Sequence, residues 1–456
     1  MKTATSLALA ISATTALATS LAPRATLPRV TVRGNAFWAG SERFYIRGVD
    51  YQPGGASDAA DPLADTTVCT RDIAEFKKLG INTVRIYTID NSKNHDACMK
   101  ALADAGIYLA LDVNTPKYSI RRDKPAQSYN SVYLQNVFAT VDEFQKYDNL
   151  LLFFSGNELI NNIPTSNTAP YIKAVTRDIK QYIGNRNYRK IPVGYSAADI
   201  DDNRLETAHY LNCGTDDERS DFFGFNDYSW CDPSSYKESS WEQKVKDLGN
   251  YSIPIFLSEY GCIKPDRKFG EVSTLYSSQM SPVYSGGLVY EYTVEGDTDQ
   301  QKYGLVKLDS KASVSEQPDF AAFGTALKGA ATPSGDGGYK SNLPPSECPG
   351  RSTTFLVDGN GLPAIPPKAK AFFKDGAGQG VGLTGTGSQD VGSESPGTAT
   401  QGSGASTGTG SAGSASTGSD GEGAASGLRA PAFSVASVVC GLVVVVSSVL
   451  GGAIIL

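Results

Sequence analysis

Leu150-Leu151-Leu152-Phe153-Phe154-Ser155-Gly156-Asn157-Glu158 sets five large apolar residues in a row, then two small ones, then an amide and a carboxylate. Five successive apolar residues fit a strand covered on both faces, and the abrupt polar ending places Asn157 and Glu158 at its rim. The pattern recurs. Runs rich in β-branched and aromatic residues occupy 44–51, 81–88, 107–113, 150–155, 191–196, 222–228, 253–258 and 287–293. Each ends in a polar or acidic residue, and a loop and an amphipathic stretch separate it from the next. Such alternation is the signature of parallel strands covered by helices. Eight repeats within about 250 residues predict an α/β fold that closes as a (β/α)8 TIM barrel.

The intervening stretches support this. In Asp72-Ile73-Ala74-Glu75-Phe76-Lys77-Lys78-Leu79, residues Ile73, Phe76 and Leu79 share one helical face, and Gly80 ends the helix just ahead of the second run. Val137, Val141 and Phe144 do the same before the fourth. A doubly wound open sheet is the alternative, but no Gly-rich phosphate loop follows any run.

Residues 1–20 combine Lys2, an apolar small-residue stretch and Ala16-Leu17-Ala18, the pattern of a secretory signal peptide. Residues 27–350 hold the barrel, and 351–375 extend it. From 376 to 427 the chain is almost wholly Gly, Ser, Thr and Ala, a composition expected to form a flexible stalk with hydroxyls open to O-glycosylation. Small residues from Gly418 to Gly427, a short spacer with Arg429 and a charge-free apolar run from Phe433 follow the order of a GPI-anchor signal, with attachment expected near Gly423 and 428–456 removed. A single C-terminal membrane helix is the alternative. The expected location is therefore outside the cell, on the outer face of the plasma membrane or passed on to the cell wall.

A net charge of −7 and pI near 5.1 leave no basic stripe for nucleic acid. Cys440 falls in the segment expected to be removed, which leaves Cys69, Cys98, Cys213, Cys231, Cys262 and Cys348, an even set suited to disulfides in an oxidising compartment. With no C-x-x-C pair and only His95 and His209, neither a metal site nor a cofactor is expected.

In this fold, chemistry sits on the loops at the C-terminal ends of the strands. The fourth run leads to Glu158 and the seventh to Ser258-Glu259-Tyr260-Gly261, so two carboxylates face one another across the barrel mouth. One buried glutamate in such a place is commonly a structural ion pair. Two, with Asn157 beside the first, suit cleavage of an acetal, where one carboxyl protonates the leaving oxygen and the other attacks or activates water. An amide next to the acid can hold a sugar 2-hydroxyl.

Together with Gly48-Val49-Asp50-Tyr51-Gln52-Pro53-Gly54-Gly55, Thr83-Val84-Arg85-Ile86-Tyr87 and Gly286-Gly287-Leu288-Val289-Tyr290-Glu291, these stretches resemble the fungal β-1,3-glucanosyltransferases of glycoside hydrolase family 72, in register from about Val30 to Cys348. The resemblance implies that Glu158 is the acid/base and Glu259 the nucleophile. A β-1,3-glucan donor would be cut through a covalent glycosyl-enzyme, and the 3-hydroxyl of an acceptor chain's terminal glucose would take the place of water. Tyr87, Asn157, Asp199, Arg204 and Tyr290 match the family's sugar-contacting positions. Gln52, Asp112 and Tyr228 are weaker candidates of the same kind, and tyrosine rings at a barrel mouth suit stacking on glucose.

For the cysteines, the family pairing and the placement of the runs agree on Cys69–Cys98, Cys231–Cys262 and Cys213–Cys348. Asn250-Tyr251-Ser252 is an N-glycosylation sequon. Longer family members carry a cysteine-rich carbohydrate-binding module. Here only Cys348 follows Cys262 before the tail, so one catalytic domain is expected. A hydrolytic β-1,3-glucanase and a non-catalytic wall-binding protein are the remaining readings.

Overall fold

A computed structural model describes residues 27–402 except 56–58, 265–266 and 296–301. The expected signal peptide, the anchor signal and the stalk beyond 402 lie outside the described residues. The chain opens with an antiparallel sheet, β1 (Val30–Arg33), β2 (Ala36–Ala39) and β3 (Glu42–Phe44). Eight parallel strands follow and close on themselves: β4 (Ile46–Asp50), β5 (Thr83–Ile86), β6 (Tyr108–Asp112), β7 (Leu150–Asn157), β8 (Val193–Ala198), β9 (Phe222–Asp227), β10 (Ile255–Tyr260) and β11 (Tyr284–Val289). Pairing of β11 with β4 seals the barrel, as the eight runs require.

Helices α1 (Thr66–Leu79), α2 (Asp96–Asp104), α3 (Pro125–Ser128), α4 (Ser131–Phe144), α5 (Ala169–Asn185), α6 (Arg204–Leu211), α7 (Trp241–Asp247), α8 (Glu271–Leu275), α9 (Pro318–Gly329) and α10 (Pro367–Asp375) cover the outside. In α1 the face of Ile73, Phe76 and Leu79 is buried, and Gly80 at φ 76 caps the last turn by donating its N–H to the Phe76 carbonyl. A hairpin of β12 (Val306–Ser310) and β13 (Ser313–Glu316) lies beyond the barrel strands.

Three features depart from the sequence reading. The run read at 44–51 takes in the end of β3, and the first sheet went unread. This sheet supplies the plug at the foot of the barrel: the Phe37 ring lies 5.9 Å from Phe256 and 6.3 Å from Phe222. With Phe154, whose ring meets Phe222 at 5.3 Å, these aromatics fill the lower interior.

The eighth strand is Tyr284–Val289 rather than 287–293. Tyr284 already pairs with Ile255, and the Ser-Gly-Gly that follows hides the strand in the sequence. After Val289 the backbone turns to the loops, with Tyr292 N–H bonded to the Asp50 carbonyl.

The expected stalk does not begin at 376, because residues 376–402 are packed on the barrel. Ala377 N–H donates to the Tyr182 hydroxyl at 3.0 Å, Gly382 N–H to Asn91 Oδ1 at 2.9 Å and Gly402 N–H to Glu218 Oε1 at 2.8 Å. Composition misleads here because glycines in close backbone contact look the same as glycines in a free chain.

Disulfides join Cys69 to Cys98, Cys213 to Cys348 and Cys231 to Cys262. The first ties α1 to α2, and the third ties the loops after β9 and β10. The second encloses a span of 135 residues and fixes the chain after α9 to the end of α6.

Candidate active site

The C-terminal ends of the strands gather polar side chains above the aromatic plug. At the boundary sits Arg85 of β5, fully buried, its guanidinium carbon 4.3 Å from the Phe154 ring centre and 4.1 Å from that of Tyr87. A buried guanidinium is tolerable only if its donors are satisfied. Nε bonds Asp112 Oδ2 at 2.9 Å, Nη2 bonds Asp112 Oδ1 at 3.3 Å and Asn157 Oδ1 at 3.0 Å, and Nη1 bonds the Ser258 carbonyl at 3.2 Å and Glu259 Oε1 at 3.3 Å. Five bonds use all five N–H groups.

Glu259 is the penultimate residue of β10, beside Asn226 of β9 in the barrel register. Besides Arg85, its Oε1 accepts from the Tyr87 hydroxyl and its Oε2 from the Tyr228 hydroxyl, each at 2.8 Å. Burial pushes the Glu259 carboxyl above the usual carboxylate range; Arg85 pulls it down, Glu158 pushes it further up, and the two tyrosine bonds favour the anion. Burial also lifts both phenols well above their ordinary value, so they remain donors.

Asp50, at the end of β4, is wholly buried in this cluster. Burial drives its carboxyl far upward, Arg85 opposes this and Glu259 adds to it.

Glu158 follows β7 with φ 48, a left-handed conformation that costs a non-glycine residue about 1 kcal/mol or more. Its N–H donates to the Ser196 carbonyl at 2.9 Å, and its carbonyl accepts from Arg122 Nε at 2.9 Å, which together hold the turn. Its Oε1 accepts from Asn226 Nδ2 at 2.9 Å. The same amide reaches Asn157 Oδ1 at 3.2 Å, so a chain of bonds runs from Glu158 through Asn226, Asn157 and Arg85 to Glu259. Asn157 Oδ1 is engaged twice, so a sugar hydroxyl can be met only by its Nδ2 donating.

A cavity of about 260 Å³ opens on one side, lined by Tyr87, Asp112, Asn114, Pro116 and Asn157 among others. Another of about 610 Å³ lies on the other, lined by Glu158, Asp199, Arg204, Tyr228 and Lys244 among others. Asn157 lines the first and its neighbour Glu158 the second. In the second, Arg204 pairs with Asp199, and Lys244 Nζ bridges Asp199 at 2.6 Å and Asp227 at 2.7 Å.

The structure therefore brings the sequence candidates to one mouth but gives several of them other work. Asp112 is clamped to Arg85. Tyr87 and Tyr228 turn their hydroxyls on Glu259. The Tyr290 carbonyl accepts from Arg267, while its ring packs edge-on to Tyr228 at 6.4 Å and Tyr303 at 5.5 Å. Gln52 is half-buried, and its carbonyl accepts from Thr293 Oγ1.

Arg85, Asp50, Asn226, Lys244 and Tyr303 were not singled out from sequence. Arg85 and Asn226 carried a usable signal, a polar residue inside or closing an apolar strand run. Asn250 is exposed, whereas the sequon's Ser252 is buried with its hydroxyl bonded to Asn212.

Residues 19–331 match a family described as Glucanosyltransferase, glycoside hydrolase family 72. The chain is 61% identical over 451 residues to 1,3-beta-glucanosyltransferase gel1 of Aspergillus fumigatus, covering 98% of each chain. It is 53% identical to 1,3-beta-glucanosyltransferase GAS5 of Saccharomyces cerevisiae, over 79% of this chain and 75% of the relative. A solved structure of a mutant of Saccharomyces cerevisiae Gas2p in complex with laminaritetraose and laminaripentaose superposes with a TM-score of 0.68 at 36% identity, covering 75% of this chain and 76% of that one.

Proposed function

Since this chain belongs to the glucanosyltransferase family, glycoside hydrolase family 72, we propose that it cuts β-1,3-glucan and rejoins the released segment to another glucan chain, with retention at the anomeric carbon. Glu259 is the nucleophile. Three donors stabilise its anion. Glu158 is the acid/base, aimed by Asn226 and by the held left-handed turn.

In the first step Glu158 protonates the leaving glycosidic oxygen as Glu259 Oε attacks the anomeric carbon, giving a glycosyl ester and a released chain end. In the second, the ionised Glu158 takes the proton of an acceptor 3-hydroxyl, which displaces Glu259. The observation that carries the reading is the continuous bond chain joining Glu158 to a triply held Glu259 between two cavities. Donor and acceptor segments each have a place there.

The test incubates the secreted protein with a reduced β-1,3-gluco-oligosaccharide and separates products by length. Products longer than the substrate are expected, and only shorter ones would make the enzyme a hydrolase. Glu158→Gln and Glu259→Gln are each expected to lose nearly all turnover; an active Glu259→Gln would remove the nucleophile assignment.

The protein is further proposed to be secreted, glycosylated and held by a GPI lipid at the outer face of the plasma membrane, for cell-wall assembly. The apolar stretches at 7–18 and 433–456 support this. Release from intact cells by a phosphatidylinositol-specific phospholipase is the expected result, and retention after treatment would count against a lipid anchor.

A further inference from the structure

Residues 376–402 lie beyond the family match at 19–331, and their composition is that of a linker, yet they are fitted to the barrel. A Cβ on Gly380 would come within 2.3 Å of Asn91 Oδ1, and one on Gly385 within 2.0 Å of the Tyr118 hydroxyl, so only glycine allows this approach. Lys117 Nζ donates to the Gly385 carbonyl at 3.2 Å, Ser388 N–H to the Lys117 carbonyl at 3.0 Å and Gln389 Nε2 to the Pro116 carbonyl at 3.1 Å and Ser119 Oγ at 2.7 Å. Asp390 pairs with Arg121 at 2.6 Å.

The loops gripped this way, after β5 and β6, are the ones whose inner faces wall the smaller cavity through Tyr87, Thr88, Asn114 and Ile120. On the outer side, Pro116, Lys117, Thr386, Gly387, Gln389 and Asp390 enclose, with Val391, a second groove of about 360 Å³. Pro116 borders both, so the groove adjoins the outer edge of the catalytic cleft.

We propose that residues 376–402 form a strap that extends the catalytic cleft, and that the groove between the strap and Pro116–Lys117 is an outer subsite for a β-1,3-glucan chain. This rests on the glucan-transferring reading above. The chemistry suits a sugar chain. For sugar hydroxyls the groove offers the remaining N–H groups of Lys117 Nζ, the Gln389 side-chain carbonyl, the Thr386 hydroxyl and the Asp390 carboxylate that Arg121 holds, and Val391, 48% exposed, offers an apolar surface for a sugar face. A chain long enough to pass Pro116 would reach these groups, and a shorter one would not. The strap thus determines specificity by length while the reacting atoms stay with Glu158 and Glu259.

The experiment uses the full chain and a ladder of reduced β-1,3-gluco-oligosaccharides, beginning with the shortest that the wild type turns over. Two variants are compared with it. Gln389→Ala removes a groove side chain, and Gly385→Leu forces the strap off Tyr118. Limited proteolysis within 376–402 reports strap release, and thermal melting reports folding. For the longest substrates kcat/KM is expected to fall about fivefold in Gln389→Ala, the worth of one lost hydrogen bond, and further in Gly385→Leu, chiefly through KM. The shortest substrates should be unaffected in Gln389→Ala. A wild-type length profile in both variants, or an equal loss at every length in Gln389→Ala, overturns the subsite. Failure of the wild type to act on any β-1,3-glucan would instead remove the reading on which it rests.

Discussion

Tyr228→Phe should move the acid limb of the pH profile upward. As the proposed nucleophile, Glu259 attacks only when ionised, so kcat/KM falls as the pH drops through its pKa in the free enzyme. Burial raises that pKa, and the bonds from Arg85, Tyr87 and Tyr228 to the anion hold it down. The substitution deletes the sole phenol on Oε2 while retaining the ring that packs against Tyr290 at 6.4 Å and Tyr303 at 5.8 Å. A bond to a charged group contributes about 1.5–3 kcal/mol and one to a neutral acid about 1 kcal/mol, so the anion loses roughly 0.5–2 kcal/mol more than the acid does. That difference is roughly one pH unit.

The assay is transfer from a reduced β-1,3-gluco-oligosaccharide at substrate concentrations well below KM, across the pH range in which both proteins stay folded. The variant's acid limb is expected about one unit above that of the wild type. Tyr87→Phe should shift in the same direction, since its hydroxyl bonds the other oxygen of the same carboxylate. A limb that stays in place or moves down would mean that neither hydroxyl stabilises the nucleophile's anion. The tyrosines would then return to the stacking role that their place in the sequence suggests.

His95 is buried between Asp61 Oδ2 at 2.8 Å and Glu143 Oε1 at 3.0 Å; burial opposes its charge, but these two bonds outweigh it and its pKa stands raised to about 9. A raised histidine stabilises fully below its unfolded pKa near 6.5 and loses that contribution as pH climbs through 9, so about 3 kcal/mol should fade across this window in denaturant titrations and be missing throughout in His95→Gln. Arg85→Leu strands Asp112 and Glu259 without their cation and should lower stability by about 3–5 kcal/mol; Arg85→Lys, which cannot supply five donors in a plane, should recover only part of this and little activity. A flat stability across pH 6.5–9 would refute the first expectation, and a fully active Arg85→Lys the second. Removing the Cys213–Cys348 bridge, with its span of 135 residues, should cost about 5 kcal/mol by chain entropy, measured as a drop in denaturation midpoint; an unchanged midpoint would show that the reduced chain keeps the loop closed.

The barrel was legible because burial on both faces forces each strand into a short continuous apolar run, and eight such runs with helices between admit few closures. Glu158 and Glu259 were legible because a carboxylate directly after such a run has no packing purpose. Arg85 was not, although it stood in a stretch already noticed: the sequence does not say whether a charge inside a strand points into the barrel or out among the helices, and only its register next to Asp50 decides it. The first sheet escaped for a different reason. Its strands are short and its tight turns at 34–35 and 40–41 carry Gly34 and Gly40 at φ 54 and 64, a hairpin signal that a search for long apolar runs passes over. The strap escaped because composition counts residue types and cannot count partners. Gly380 and Gly385 are small because Asn91 and Tyr118 leave no room.

The two glutamates are alike in chemistry, and the difference in their surroundings is the support for the roles proposed for them. Glu259 takes bonds from a fully engaged guanidinium and two phenols that stay protonated, and all three favour its anion against the burial that raises its pKa to about 7. Glu158 accepts from Asn226 and stands on a left-handed turn whose carbonyl is gripped by Arg122. An amide donor brings no charge to Glu158, in keeping with the acid/base role proposed for it. Asn226 and Asn157 also join the two carboxylates through Arg85. In a reaction where one enzyme group must give a proton as the other attacks, and later take one back from an incoming hydroxyl, such a shared hub keeps the acid and the nucleophile in fixed relation. The fold's contribution is to bring the ends of β4, β5, β7, β9 and β10 to that hub.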